Sequence, residues 1–420
     1  MALTKKPVNG MKDILPREMQ IRDYVMSLMK ETYGRYGFSL VETPCVEHIE
    51  NLLSKQGGEN EKLIFKILKR GEKLKLDEAE KEADLVDMGL RYDLTLPLSR
   101  YYANNVNNLV MPFKALQMGA VWRADRPQKG RFRQFVQCDI DILGDATYLA
   151  EVELISATTT LLGKLDFKDF KVRINDRRIL KAMATFSGFP EDKFDIVFII
   201  LDKMDKIGLD GVAKELEESG FEKKSIDIYL GLFEKIVSDR EGLRYLKDIL
   251  KDVLEENVVE NLENIMCCVE EAKSTTFEII FDPTLVRGMS YYTGTIFEIE
   301  MEELKSSVAG GGRYDEMIGK FTGNSICACG FSIGFERIVT ILLDRNFEIP
   351  LKNTKKVFLL EKGMIQADIY KVMKMATEER NEGTQVLVVQ MNKNKKFQKE
   401  QLTKEGYTEF QEFYKDTFQK

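Results

Sequence analysis

Histidine is almost missing from this 420-residue sequence, which carries His48 and no other. One histidine excludes His-based catalytic triads, multi-histidine metal sites and general-base schemes that need a second imidazole. No run of about 18 apolar residues occurs, so no membrane-spanning helix is expected. Met1 to Met11 holds no apolar signal core. An excess of positive charge is lacking too. Lysine and arginine number 62 against 69 aspartates and glutamates, a net charge of −7. Overall charge therefore does not announce a nucleic-acid partner, and any RNA contact must come from local basic patches. The 6 cysteines, Cys45, Cys138, Cys267, Cys268, Cys327 and Cys329, are scattered. Without a secretion signal they are expected to be reduced, buried thiols of a cytoplasmic protein. Cys327 and Cys329 have no second pair at zinc spacing, so no metal ligands are assigned. There is no internal repeat and no low-complexity tract.

What remains for chemistry is carboxylates, arginines and metal-bound phosphates. The length predicts two or three domains, and 44% apolar residues suffice for their cores. Ile21, Val25, Leu28 and Met29 predict a helix over 17–33. Residues 37–44 predict a strand ending at Pro44, residues 59–75 a hairpin, and residues 72–86 a charge-rich connection. Two strands around a Gly/Pro/Arg-rich loop are expected over 111–144. Residues 177–272 are Lys/Glu-rich with heptad-like Leu and Ile, which predicts a helical insertion. Strand character returns at 276–281 and 297–300, and 330–338 predicts a strand running into a helix. A polar linker over 344–356 then leads to the β-α-β-α order of a small α/β domain.

Five segments stand out. In Trp122-Arg-Ala-Asp-Arg-Pro-Gln-Lys-Gly-Arg-Phe-Arg-Gln-Phe-Val-Gln137, five cations (Arg123, Arg126, Lys129, Arg131 and Arg133) cluster between apolar strands that would aim them into one pocket. Arginine forks bind phosphate bidentately, so a polyanion site is favoured over a solvated loop. Leu285-Val-Arg-Gly-Met-Ser-Tyr-Tyr-Thr-Gly294 places Arg287 beside a glycine, where backbone and guanidinium can both approach a ligand. If its two tyrosines lie on a strand, they point to opposite faces and only one can face a pocket. Ala309-Gly-Gly-Gly-Arg-Tyr-Asp315 needs flexible or positive-φ backbone, or leaves room for a ligand, but lacks both dinucleotide and phosphate-loop spacing. Gly330-Phe-Ser-Ile-Gly-Phe-Glu-Arg337 opens a helix with an arginine, or is ordinary strand-to-helix packing. In Leu90-Arg-Tyr-Asp-Leu-Thr-Leu-Pro97, Asp93 and Thr95 share one face of an extended segment and suit an ammonium group. A helix cap at either residue explains them equally well.

Together and in this order, the five segments resemble class II histidyl-tRNA synthetases over residues 7 to about 340. The basic segment, continuing into Cys138-Asp-Ile-Asp-Ile-Leu-Gly, is similar to the family's phosphate-binding loop. Arg-Gly-Met-Ser-Tyr-Tyr and Ala-Gly-Gly-Gly-Arg-Tyr-Asp are similar to its paired histidine signatures. The resemblance implies an α+β fold: an antiparallel sheet flanked by helices, a helical insertion and a small α/β C-terminal domain. It places the catalytic core at 1–173 and 278–345, the insertion at 174–277, and a short anticodon-binding-like domain at 352–420. It implies that Asp93, Thr95, Gln137 and Asp141 hold the amino group and ring of histidine, with Tyr291 and Tyr292 as the tyrosine pair. Arg123, Arg131 and Arg337 match arginines on the ATP phosphates. Arg287 matches the arginine set against the α-phosphate and the amino-acid carboxylate, and with Arg123 is the catalytic pair. Ser290 stands where the family usually has Asp, and the family's tail usually runs on by another strand or two.

The implied reaction is histidine–tRNA ligation: ATP and Mg²⁺ activate histidine to its adenylate, and the histidyl group passes to tRNA(His). A carboxylate is already a nucleophile at neutral pH. The site must therefore neutralise charge on the α-phosphate and align two anions, which arginines and magnesium can do without histidine. A cytoplasmic homodimer is implied, with Pro44 matching the dimer-motif proline. The alternative is a catalytically silent relative that serves as a regulatory subunit of ATP phosphoribosyltransferase; such relatives typically lose the Arg287-type residue and the tail. In the tail, Asn392-Lys-Asn-Lys-Lys-Phe-Gln-Lys-Glu-Gln-Leu402 sets four lysines around Phe397. It suits tRNA phosphates and a stacked base, or is an amphipathic helix with Phe397 and Leu402 facing the core.

Overall fold

The computed structural model describes residues 3–53, 58–127, 131–236, 239–286, 291–301, 303, 306–350 and 354–419. In chain order, helix α1 (Pro16–Arg35) is followed by β1 (Ser39–Val41), β2 (Val46–His48) and α2 (Ile49–Leu53). Then come β3 (Lys66–Leu68), α3 (Glu82–Leu85), β4 (Val86–Leu90) and α4 (Thr95–Asn105). The long hairpin β5 (Phe113–Trp122) and β6 (Gln134–Leu143) leads to α5 (Leu149–Lys164) and β7 (Phe170–Asp176). A helical run follows: α6 (Arg177–Ser187), α7 (Phe194–Leu201), α8 (Met204–Glu218), α9 (Lys223–Phe233), α10 (Arg240–Ile249) and α11 (Asn257–Glu271). Next are β8 (Phe277–Phe281), β9 (Thr295–Met301), β10 (Ser306–Arg313), α12 (Glu316–Thr322), β11 (Ala328–Ile333) and α13 (Phe335–Asp344). The tail holds β12 (Lys355–Leu360), α14 (Gln366–Asn381), β13 (Gln385–Gln390), α15 (Lys395–Lys404) and β14 (Glu409–Phe413).

The chain divides into two compact units, residues 1–13 with 25–341 and residues 14–24 with 342–420. In the first, an 8-stranded sheet runs β1-β5-β6-β11-β10-β9-β7-β8. Pairing is antiparallel from β5 to β7, and the edge strands β1 and β8 join in parallel. Cys138, Ile140 and Ile142 alternate along β6 and are buried, as a strand with one face against a core requires. The triple glycine lies inside β10, in extended backbone rather than a turn. A Cβ on Gly311 would sit 1.9 Å from the Gly330 carbonyl oxygen, so this glycine admits the neighbouring strand and not a ligand. The helical run begins where Asp176, ending β7, caps α6 by accepting the Arg178 N–H at 2.8 Å. Gly188, at φ +84°, closes that helix.

One local expectation fails. Residues 59–75 form no hairpin; the three-residue β3 pairs instead with β4, beyond the charged connection. β4 is also flanked by β2, giving the order β2-β4-β3. The apolar residues of this region serve a small core of Ile49, Leu52, Ile64, Val86 and Leu96, which the alternation alone did not reveal. None of the six cysteines is in a disulfide, but only Cys138 and Cys329 are buried, and Cys45 is exposed. Burial of every thiol was therefore the wrong expectation.

In the second unit, β12 lies between β13 and β14, parallel to both. β14 adds a third strand after the β-α-β-α order. Phe358, Leu360, Met364, Val372, Ala376, Val386 and Phe413 form its core. Arg17 donates to the Phe347 carbonyl at 2.7 Å, and Tyr24 packs on the Phe347 ring.

Candidate functional site

Gln137, Asp139 and Asp141 occupy alternate positions of β6 and so project from one face. All three are buried. Gln137 Oε1 and Asp141 Oδ2 have no hydrogen-bond partner among the described residues. The other oxygen of Asp141 accepts from the Tyr314 hydroxyl at 2.5 Å. Gly330 pairs with Asp141 on β11, and a Cβ there would stand 2.1 Å from Asp141 Oδ1. The missing side chain is therefore what lets the carboxylate lie across β11 toward Tyr314.

Burial pushes the Asp139 carboxyl up to about 7, with Asp93 adding to the rise and Ser332, Arg123 and Gln137 opposing it. Burial pushes Asp141 up to about 8, and the neighbouring Asp139 and Asp93 add to it against the Tyr314 hydrogen bond. Burial and the adjacent Asp141 likewise raise the Tyr314 hydroxyl well above its usual range. Three carboxyl groups thus crowd one buried place, a setting that favours a cationic, donor-rich guest.

Asp93 belongs to this group and is also a cap, accepting the Leu96 N–H at 3.1 Å at the start of α4. The capping expectation for Asp93 is met. Thr95 opens α4, half-buried. Tyr291 and Tyr292 precede β9 rather than lying in it, so strand alternation does not apply to them. Their ring centroids are 4.7 Å apart, and Tyr291 meets Tyr314 edge-on at 6.1 Å. The expectation that they point to opposite faces is thereby corrected.

Three of the described cations of the basic segment are held by neighbouring groups. Arg123 donates to the Tyr92 carbonyl at 3.1 Å, and its guanidinium lies over the Tyr92 and Phe135 rings at 4.3 and 5.2 Å. It is near enough to Asp139 to stabilise the carboxylate. Arg131 is exposed and pairs with Asp125 at 3.1 Å. Arg133 donates to the Asp125 carbonyl at 3.0 Å, and Arg126 is exposed. Arg337, in the first turn of α13, donates to the Ser307 carbonyl of β10. Lys129, Arg287 and Ser290 lie outside the described residues.

The sequence reading passed over Asp139, Tyr314, Ser332, Arg91 and Arg313. Asp139 was accessible, because Gln137-Cys-Asp-Ile-Asp141 alternates polar and apolar residues. Ser332 pairs with Asp139 across β11, a register invisible before the sheet forms. Arg91 is buried and donates to the carbonyls of Thr43 at 2.7 Å and Ala120 at 2.8 Å. It lies over Gly119, the partner of Gln137, where an added Cβ would meet its Nη2 at 2.2 Å. Arg313 forms a bidentate pair with Glu151 at 2.7 Å and donates to the Asp145 and Thr147 carbonyls at 3.0 and 2.9 Å. That anchor holds the residue immediately before Tyr314.

The family profile described as histidyl-tRNA synthetase matches residues 10–338. The chain belongs to the histidyl-tRNA synthetase family. It is 44% identical over 351 residues to a histidine–tRNA ligase of Leifsonia xyli subsp. xyli, covering 81% of each chain. It is 36% identical over 366 residues to the histidine–tRNA ligase of Christiangramia forsetii, covering 83% of this chain and 80% of the relative. The crystal structure of histidyl-tRNA synthetase from Nostoc sp. PCC 7120 superposes with a TM-score of 0.78 at 26% identity, over 96% of this chain and 90% of that one. A Bacillus halodurans protein described as an ATP phosphoribosyltransferase regulatory subunit/histidyl-tRNA synthetase superposes with a TM-score of 0.79 over 99% of each chain. At 20% identity that likeness shows the fold alone. No helix among the described residues is long and apolar enough to cross a membrane.

Proposed function

We propose that the acceptor cluster on β6 is the histidine site of a histidine–tRNA ligase. The enzyme is a histidine-specific aminoacyl-tRNA synthetase that uses ATP to activate histidine and transfers the histidyl group to tRNA. The observation that carries the site reading is a pair of buried acceptors, Gln137 Oε1 and Asp141 Oδ2, that have no partner among the described residues and lie beside Asp93 and Asp139. Histidine supplies an ammonium group and ring N–H donors for such acceptors. A site that pairs with these donors rejects amino acids lacking them, because its buried acceptors then stay unsatisfied.

In the activation step an oxygen of the histidine carboxylate attacks the α-phosphorus of ATP, and pyrophosphate leaves with the electrons of the broken P–O bond. No proton need be removed from the nucleophile. Arg287 and Arg123 are assigned to the charge developing on the α-phosphate, and Arg131 and Arg337 to the remaining phosphates. Thr95, Tyr291 and Tyr292 are assigned to the walls around histidine. In the transfer step a tRNA hydroxyl attacks the acyl carbon, the bond from that carbon to the phosphate oxygen breaks, and AMP leaves with its electrons while its phosphate takes the hydroxyl proton.

Among the described residues no group of three or more His, Cys, Asp or Glu side chains forms a metal cage. Mg²⁺ would arrive as its ATP complex, held mainly by the phosphates, where it would neutralise their charge. We assign the enzyme to the cytoplasm as a homodimer, with residues 352–420 as the tRNA-binding tail. Histidine-dependent ATP–pyrophosphate exchange, run with and without tRNA, tests the whole reading. Exchange specific to histidine is expected; no exchange, with binding to a phosphoribosyltransferase subunit instead, would overturn it.

A further inference from the structure

A glutamine amide can present either end, and its surroundings decide which one. Gln137 Nε2 lies 3.4 and 3.3 Å from the two carboxylate oxygens of Asp139 and 3.3 Å from Ser332 Oγ. At about pH 8, above the value near 7 to which burial raises Asp139, the carboxyl is mainly ionised and only accepts, so it takes the NH₂ end and leaves Oε1 buried with no partner among the described residues. Asp139 is held in turn by its own row of the sheet, with Gln117 on β5 and Ser332 on β11 as its register partners. The Gln117 amide is already engaged, donating to the Leu94 carbonyl at 3.1 Å and accepting from Thr43 Oγ1 at 3.4 Å.

We propose that Asp139 is a positioning residue for the histidine site, fixing the Gln137 amide so that Oε1 faces an N–H of bound histidine. The inference rests on the reading of this cluster as the histidine site. Asparagine at 139 can either donate or accept, so it no longer dictates which end of Gln137 faces the ligand. Removing a buried carboxyl also relieves desolvation, so a purely structural role and a positioning role predict opposite changes in stability.

The test compares wild type, Asp139→Asn, Gln137→Met and the double variant in histidine-dependent pyrophosphate exchange, with thermal melts at about pH 8. Asp139→Asn is expected to raise the histidine KM about 10-fold or more, as for a hydrogen bond lost from a charged donor, and to change the ATP KM by less than about twofold. Its melting temperature is expected to equal or exceed that of wild type. In the Gln137→Met background the same change is expected to alter the histidine KM by less than about twofold, because the group it acts through is gone. An equal effect of Asp139→Asn in both backgrounds would mean that it acts on histidine independently, which overturns the proposal. So would a kinetic loss that tracks a lower melting temperature. If Gln137→Met raises the histidine KM while Asp139→Asn is silent, the positioning role alone fails. If Gln137→Met itself leaves the histidine KM unchanged, the histidine-site reading fails with it.

Discussion

Tyr314 donates its hydroxyl hydrogen to Asp141 across 2.5 Å, over the bare backbone of Gly330. This contact joins the Ala-Gly-Gly-Gly-Arg-Tyr-Asp segment to β6, two stretches more than 170 residues apart in sequence (|i−j| = 173). Asp141 Oδ2 has no partner among the described residues, so the Tyr314 bond orients the carboxyl group.

Tyr314→Phe keeps the ring and removes that donor. The variant is expected to lose about 1–3 kcal/mol of stability, because a buried acceptor goes unsatisfied, and to bind histidine roughly 10-fold more weakly. Denaturant melts and the histidine KM check it; an unchanged KM would separate Tyr314 from the histidine site.

Asp139 and Asp141, raised to about 7 and about 8, hold their protons to a higher pH in the folded protein than in the unfolded chain, which releases them near the ordinary carboxyl range. Their contribution to stability is therefore full below about pH 4 and is lost as pH rises toward about 8. The groups facing them are Asp93, Gln137, Ser332, Arg123 and Tyr314. A bound cation favours the ionised forms, so between about pH 7 and about pH 8.5, where the imidazole of free histidine is mostly neutral, histidine binding releases protons from these carboxyls and stabilises more at the upper end. Thermal melts with and without histidine across this range measure it. A histidine-induced shift that shrinks as pH rises would contradict the assignment.

Gly330→Ala places a methyl 2.1 Å from Asp141 Oδ1 and 3.1 Å from the Tyr314 ring. Either the carboxyl moves or the strands part. A loss of about 1–3 kcal/mol of stability is expected, together with weakened histidine binding. Wild-type melting temperature and KM would show that the carboxyl need not lie across β11.

Arg287→Ala is expected to slow adenylate formation by about 10²–10³-fold, the scale of one preorganised electrostatic contact. Histidine binding, followed by calorimetry, should change less. Exchange at the wild-type rate would remove Arg287 from the catalytic role and favour a regulatory protein.

In the tail, Lys395 and Lys399 both bind Glu412 at 2.6 Å, which holds that carboxyl down to about 2. Phe397 is 56% exposed, so the expectation that it faces the core is not met. Lys393 and Lys396 are not the lysines taken by Glu412 and, with Phe397, are assigned to tRNA. Lys393→Gln/Lys396→Gln should weaken tRNA binding and make its salt dependence shallower by about 1–2 in log–log slope, with tRNA-independent exchange intact. An unchanged slope would locate the phosphate contacts elsewhere.

The local elements were largely legible in the residues. Helical spacing in α1, the paired apolar strands around the basic loop, and the Leu/Ile-rich run of α6 to α11 are patterns that backbone geometry imposes directly. Alternation along β6 could have placed Gln137, Asp139 and Asp141 on one face, but only Gln137 and Asp141 were singled out, through the family resemblance. The family followed from five motifs taken in order. What no local pattern held was the register. That Gly330 stands opposite Asp141, Ser332 opposite Asp139 and Gly119 opposite Gln137 depends on which strands become neighbours. The triple glycine read as a loop or a ligand cradle because its true constraint, the Gly330 carbonyl, belongs to another strand. The partners that hold the basic segment's arginines, Asp125, Tyr92 and Phe135, were not visible because they act through side-chain directions. Strand and helix periods are set by the chain's own sterics, whereas buried charge and hydrogen-bond pairing are set by groups that only folding brings within about 3 Å.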